Sequence, residues 1–154
     1  MPKVSRSRTV AAPVERVWNL VSDPHNLPRW WPKVMRVEDV TGRGNRSRWT
    51  AVLETERGNG VRADFRCVGS TNETRFEWAQ DVAGTPFERI LRESVMAIEL
   101  RLTAEGATGV TLTSDESLRG LSRLGSRMLR GAAKRRLDEA LDGMERALVG
   151  EPAT

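Results

Sequence analysis

Few residues in this 154-residue chain carry side chains suited to chemistry away from water, so the candidates can be taken one at a time. There is one histidine, His25, one cysteine, Cys67, and no tyrosine. General acid or base catalysis needs a titratable group held near the reacting atom with water kept away. Alternation along the second half of the chain leaves five polar positions on the same side as the apolar ones: Thr55, Gln80, Arg92, Ser94 and Glu116. A carboxylate among apolar neighbours is pushed toward its neutral form, which makes Glu116 the best candidate acid or base. The competing reading is that its strand has left the core by that point and that Glu116 is wet. Arg92 is suited to hold a carboxyl group or polarise a carbonyl, although it falls where the apolar phase slips. His25 lies between two short helical segments, where an ordinary polar turn residue is the simpler reading. Cys67 has no base beside it in sequence and reads as a small core residue. One histidine, one cysteine and scattered carboxylates do not assemble a transition-metal site, so neither metal nor cofactor is expected.

Positioning such residues requires a frame, and the alternation supplies one. Lys3 to Val10 reads as a first strand near a sheet edge, with Val4, Arg6, Arg8 and Val10 on one face. Pro13 opens a short helix carrying Val14, Val17, Trp18 and Val21 at helical spacing. Asp23 caps a second one that begins at Pro24 and is stopped by Pro32. From Val34 the period becomes two, giving strands at Val34 to Val40, Arg46 to Arg57, Val61 to Gly69, Thr74 to Asp81, Ile90 to Leu102 and Val110 to Arg119. Glycine- and asparagine-rich turns separate them, and such short links imply antiparallel neighbours. The 82–86 link reads as a kinked or bulged corner. One face carries Trp49, Phe65, Phe76, Trp78 and Met96 together with aliphatic residues; the other carries Arg48, Arg62, Asp64, Arg66 and Glu99.

The proline-free stretch Leu121 to Val149 is the late element available to cover the dry face, and as one helix it spans roughly 42 Å. The expected architecture is α+β, in the order β-α-α-β6-α, with a seven-stranded antiparallel curved sheet around that helix. One domain spans residues 1–150, and 151–154 form a tail. The helix presents two apolar sets: Leu121, Leu124, Met128 and Ala132 on one side, and Ala133, Leu137, Ala140, Leu141, Met144 and Leu148 on the other. One straight helix cannot turn both toward one sheet, so a break or kink is expected between Gly125 and Gly131, with Leu124 and Met128 turned to a cavity mouth or a neighbouring subunit. Arg119, Arg123, Arg127, Arg130 and Lys134 form a basic stripe that no acidic residue interrupts.

The net charge of +4 and isoelectric point near 10.2 raise the question of nucleic acid. Positive charge is spread over nearly every element, and the skew of 22 Arg against 3 Lys is what coding bias toward GC-rich codons would produce unaided, so nucleic acid is not the favoured partner. No run approaches the ~18 apolar residues of a membrane span, and no leader is recognisable at the start. A lone cysteine fits a reducing compartment, so a cytoplasmic location is expected.

Particular words then point to a family. Ala12-Pro13-Val14-Glu15-Arg16-Val17-Trp18, the segment Asp23 to Pro32, Gly84-Thr85-Pro86-Phe87-Glu88-Arg89 and Leu118-Arg119-Gly120-Leu121 resemble the START-like, or SRPBCC, superfamily, in its polyketide cyclase/dehydrase and lipid-transport branch. The resemblance covers the chain from about Val4 to Val149. It implies the helix-grip fold and a deep cavity between sheet and C-terminal helix that holds a small apolar or amphipathic molecule, polyketide- or lipid-like. It does not imply a particular reaction. Trp49, Phe65, Phe76, Trp78, Gln80, Ser94, Met96, Leu124 and Met128 are then the expected lining. A cyclase or dehydratase would draw on Glu116 or His25 with Arg92, although the phenol used by some such cyclases is absent here. A third reading makes the basic helix at 119–136 a surface for anionic lipid, hence peripheral membrane contact, or for a protein partner, including a second copy in a homodimer. Trp30 and Trp31 either close the cavity mouth or cover the sheet end.

Overall fold

The computed structural model describes residues 3–55, 58, 60–103, 106–120 and 123–150, with side chains of the last segment from Gly125 onward. Strand β1 (Lys3–Val10) is followed by helices α1 (Val14–Val21) and α2 (Leu27–Trp30), strands β2 (Val34–Thr41), β3 (Arg48–Glu54), β4 (Gly60–Thr71), β5 (Arg75–Gln80), β6 (Leu91–Leu102) and β7 (Thr108–Leu118), and helix α3 (Arg123–Val149). The seven strands form one antiparallel curved sheet in the order β1-β7-β6-β5-β4-β3-β2. The expected α+β architecture is therefore the observed one.

The helical entry is built as its punctuation implies. Pro13 precedes α1, where its missing N–H leaves no bond unmade. The Asp23 carboxylate accepts a hydrogen bond from the His25 backbone N–H at 3.0 Å and opens a single 3-10 turn, Pro24–Asn26, before α2. Val17, Leu20 and Val21 of α1 and Leu27 and Trp30 of α2 are buried in the core.

Helix α3 packs chiefly against β1, β7 and α2. Its buried stripe is Ala133, Leu137, Ala140, Leu141, Met144 and Leu148. Gly143 lies where a Cβ would come within 2.3 Å of the Trp30 carbonyl oxygen, so the absence of a side chain lets α2 sit directly on α3. On β1, Arg6 and Arg8 lie on the same face as Val4 and Val10, but their heads reach α3. Arg6 Nε donates to Asp138 at 2.8 Å, and Arg8 Nη1 donates to Asp142 at 2.6 Å and Glu145 at 3.0 Å. The edge strand is thus clamped to the helix by two arginines, while the valines at its ends enter the core.

The expected break in the helix is not found. Helix α3 runs uninterrupted through Gly125 and Gly131. The premise was that both apolar sets need cover, and Met128 is 69% exposed. Met128 and Ala132 of the first set are exposed, so the second set packs without any bend. Leu121 and the side chain of Leu124 fall outside the described residues.

Candidate functional site

The core does not fill the whole space between sheet and helix. Because α3 lies over β1 and β7, the inward face of β3 to β5 is left partly uncovered, and a cavity of about 240 Å³ remains there. Its wall is a row of side chains that runs across the sheet. Trp49 on β3 is paired with Phe65 on β4, and Phe65 is paired with Gln80 on β5. Gln80 stands one residue beyond the Ala79–Val95 pair, on the side of Ser94, and Ser94 on β6 is paired with Glu116 on β7. Directly paired residues project to the same face, and all five line the cavity. A second row, Trp78–Met96–Ser114, lies behind it and lines the cavity too.

The rows give the cavity two ends. At one, Trp49 and Phe65 stack with ring planes 14° apart and centroids 6.1 Å apart. Trp31 meets Trp78 edge-on at 5.4 Å, closing the same end beside the α2–β2 turn. At the other end stand Gln80, Ser94, Ser114 and Glu116, faced by Arg136 from α3. Arg136 Nη2 donates to the Glu116 carboxylate and lies 3.4 Å from Ser114 Oγ. Apolar walls with a few convergent polar groups are the usual composition of a small-molecule site.

Several donors in this wall have no acceptor among the described residues: Trp49 Nε1, Gln80 Nε2 and Arg136 Nε. A buried donor left unpaired costs about 1–3 kcal/mol. Trp30 Nε1, in the packed core, is likewise without an acceptor among the described residues.

The remaining expected site residues fall elsewhere. Arg92 is exposed and borders a concavity on the outer face with Arg48, Arg66 and Asp81, so it does not enter the cavity. The cause is a bulge between Leu91 and Glu93 in the pairing of β6 with β7, which turns Arg92 outward. His25 has a side chain 66% exposed and bonds Asp23 through Nδ1 at 2.9 Å; the cap that starts the 3-10 turn holds it outside. Phe76 is inward but fully packed, stacked on Trp49 and edge-on to Trp18, and is core, not lining. Met128 points to solvent. Trp30 is 2% exposed beneath α3, whereas Trp31 borders the cavity, so the two tryptophans divide the roles of core and mouth.

Arg136 and Ser114 belong to the site and were not anticipated. Ser114 shares the parity of Val110, Leu112 and Glu116 and is 4% exposed. Arg136 immediately precedes Leu137 and lies three residues after Ala133, on the flank of the buried stripe, and that position was the available signal. Burial pushes the Cys67 thiol up, and the thiol donates to the Gly69 carbonyl at 3.3 Å, consistent with an unreactive core residue. Of the basic stripe, Arg127, Arg130 and Lys134 are exposed. Among the described residues no three His, Cys, Asp or Glu side chains gather as a metal site, and no helix is long and apolar enough to cross a membrane.

A long C-terminal helix laid over one curved antiparallel sheet, with two short helices after the first strand and a cavity between, defines the START-like helix-grip class. Residues 1–149 match the family described as polyketide cyclase/dehydrase and lipid transport, and the chain belongs to that family. Among solved structures it is similar to a START superfamily protein from Mycobacterium smegmatis, with TM-score 0.75, 16% identity, and 95% of this chain and 96% of that one covered. It is also similar to the di-domain aromatase/cyclase BexL, with TM-score 0.78 and 21% identity over 99% of this chain and 48% of that one. The ZhuI aromatase/cyclase from a Streptomyces species gives TM-score 0.71 and 17% identity over 94% of this chain and 93% of that one. Identities this low establish the shared fold. No curated protein matches the sequence.

Proposed function

We propose that this protein binds a small apolar or amphipathic molecule, polyketide- or lipid-like, in the cavity between the sheet and α3, as one domain spanning residues 1–150 in the cytoplasm. The observation that carries the reading is the graded row Trp49–Phe65–Gln80–Ser94–Glu116, aromatic at one end and polar at the other. A core built only for stability would fill this space with aliphatic side chains. Membership in a family described by polyketide cyclisation and lipid transport supports the same ligand class. Native mass spectrometry of freshly purified protein tests it. A co-purifying species of a few hundred daltons, lost on denaturation, is expected. Protein that carries nothing and takes up no apolar dye would contradict the reading.

Catalysis is a second reading, favoured by one observation: Glu116 presents a carboxylate in the cavity wall with Arg136 beside it. A carboxylate can take a proton from a carbon next to a carbonyl while a guanidinium stabilises the charge that develops on the oxygen. With His25 and Arg92 outside the cavity, Glu116 and Arg136 are the pair that remains. Deuterium uptake at the carbon beside the carbonyl of bound acetylnaphthalene is expected to be faster with protein than without, and to return to the uncatalysed rate in Glu116→Gln. No acceleration with the unaltered protein would remove the catalytic reading and leave the binding one.

A further inference from the structure

We infer that the first turns of α3, residues 125–135, are a docking surface for an anionic lipid bilayer, with the cations among the headgroups and Met128 turned toward the acyl chains. The inference does not depend on the cavity being a ligand site.

Helix α3 is divided by charge. Arg119, Arg123, Arg127, Arg130, Lys134, Arg135 and Arg136 are followed by Asp138, Glu139, Asp142 and Glu145, and no acidic residue stands between Arg119 and Leu137. The fold accounts for the acidic half, since Asp138, Asp142 and Glu145 accept hydrogen bonds from Arg6 and Arg8 of β1. It does not account for the basic half. Of Arg127, Arg130, Lys134, Arg135 and Arg136, Arg136 alone is paired with a carboxylate among the described residues.

Stability does not explain the basic half either. Cations near a helix N-terminus oppose its macrodipole. Arg127 with Arg130, and Arg130 with Lys134, put like charges at the spacings where helical side chains meet. Gly125 and Gly131 lower the helix propensity further. Packing does not compensate, because no residue from Gly125 to Ala132 is buried. Arg130 stands one heptad before Leu137, about 20° away around the axis, yet Arg130 is exposed and Leu137 is 0% exposed. The side of the helix that enters the core at Leu137 is thus open to solvent two turns earlier. A segment that breaks local rules with no gain inside the molecule marks a functional surface, and a run of unpaired cations is complemented by negative charge.

The placement of the apolar residues selects the kind of anion. At helical spacing Met128 and Ala132 lie opposite Arg130 and Lys134. Met128 is 69% exposed, and Ala132 is exposed too. A helix with a basic side and an open apolar side fits the boundary between lipid headgroups and acyl chains. A nucleic-acid backbone would match the cations and leave Met128 in water.

The test is flotation of the whole protein with phosphatidylcholine vesicles made with and without phosphatidylserine. Binding to the serine-containing vesicles, falling as salt is raised, is expected, with little binding to phosphatidylcholine alone. Arg127→Gln/Arg130→Gln should weaken it about 25-fold, at about fivefold per cation, with the melting temperature unchanged or raised. Met128→Ser should weaken it several-fold and leave its salt dependence unchanged. No flotation with the serine-containing vesicles, or equal flotation without the serine lipid, would overturn the proposal. Undiminished binding in the double variant, or a lowered melting temperature, would show that these cations serve something other than the bilayer. Unchanged binding in Met128→Ser would overturn the apolar contact. Tighter binding to a DNA duplex than to the vesicles at the same salt would assign the face to nucleic acid instead and overturn the membrane reading.

Discussion

Glu116 on β7 and Arg136 on α3 meet across the polar end of the cavity, the one ion pair among the described residues with both members in its wall. The pair ties the grip helix to the sheet at the point where the core stops being filled. Its side chains are 17% and 37% exposed, so it lies between a free surface pair and a buried one.

Removing one partner is therefore expected to cost more than removing both. Arg136→Met leaves Glu116 unpaired in the wall and should destabilise the fold by about 1–3 kcal/mol. The double variant Arg136→Met/Glu116→Leu should be more stable than Arg136→Met alone. Urea unfolding of the four proteins of this cycle measures the coupling, and additive effects would mean the pair contributes nothing.

Gly143 is expected to tolerate no side chain. A Cβ there would meet the Trp30 carbonyl oxygen at 2.3 Å, a backbone atom that cannot swing aside. Gly143→Ala should lower stability by about 1–3 kcal/mol despite the better helix propensity of alanine. Thermal unfolding decides it; a rise in melting temperature would show that α2 can move off α3.

The clamp between β1 and α3 should weaken in acid. The hydrogen bond from Arg6 holds the Asp138 carboxyl below its ordinary value of 3.8, with burial opposing. A carboxylate whose value is depressed by folding adds stability that is fully present above 3.8 and is lost as pH falls through the lower folded-state value. Asp138→Asn should therefore be less stable than the unaltered protein near neutrality, with the difference fading as pH falls below 3.8. Both groups are more than a third exposed, so the difference is expected to be small and reduced by salt. Chemical denaturation across pH follows it.

Much of this fold was legible in the sequence, for a reason visible in particular elements. The sheet is wet on one face, so Trp49, Ala51, Ala63, Cys67, Phe76 and Trp78 alternate with charged or polar residues, and the period of two survives into the structure. Pro13, Asp23 and Pro24 mark helix starts by chemistry that needs no tertiary context. The site was less legible. Whether an inward residue lines a cavity or fills the core depends on where α3 lies across the sheet, and alternation does not encode that. Phe76 and Phe65 share one parity, yet Phe76 packs against Trp18 of α1 while Phe65 faces open space. Arg92 was misplaced because a bulge reverses parity locally. Arg136 lies on the flank of the buried stripe and outside the basic stripe, whose described members Arg119, Arg127, Arg130 and Lys134 are exposed, so the charge pattern alone does not single it out.

That distinction between core and surface can be measured. Phe76→Ala should destabilise by about 3–5 kcal/mol, as for any fully packed aromatic. Met128→Ser, at a side chain 69% exposed, should change stability by no more than about 0.5 kcal/mol. Equal losses by urea unfolding would mean that the start of α3 is packed against something.

The central claim is that the space beneath Trp49 and Trp78 is where a ligand sits, and the indole N–H resonances read it directly. The chain has five tryptophans, each giving one such signal. On titration with acetylnaphthalene, the signals of Trp31, Trp49 and Trp78, which line the cavity, are expected to shift and saturate together, while that of Trp18, outside its wall, stays nearly fixed. Saturable shifts at Trp18 alone, or no saturable shift at any of the five, would contradict the account.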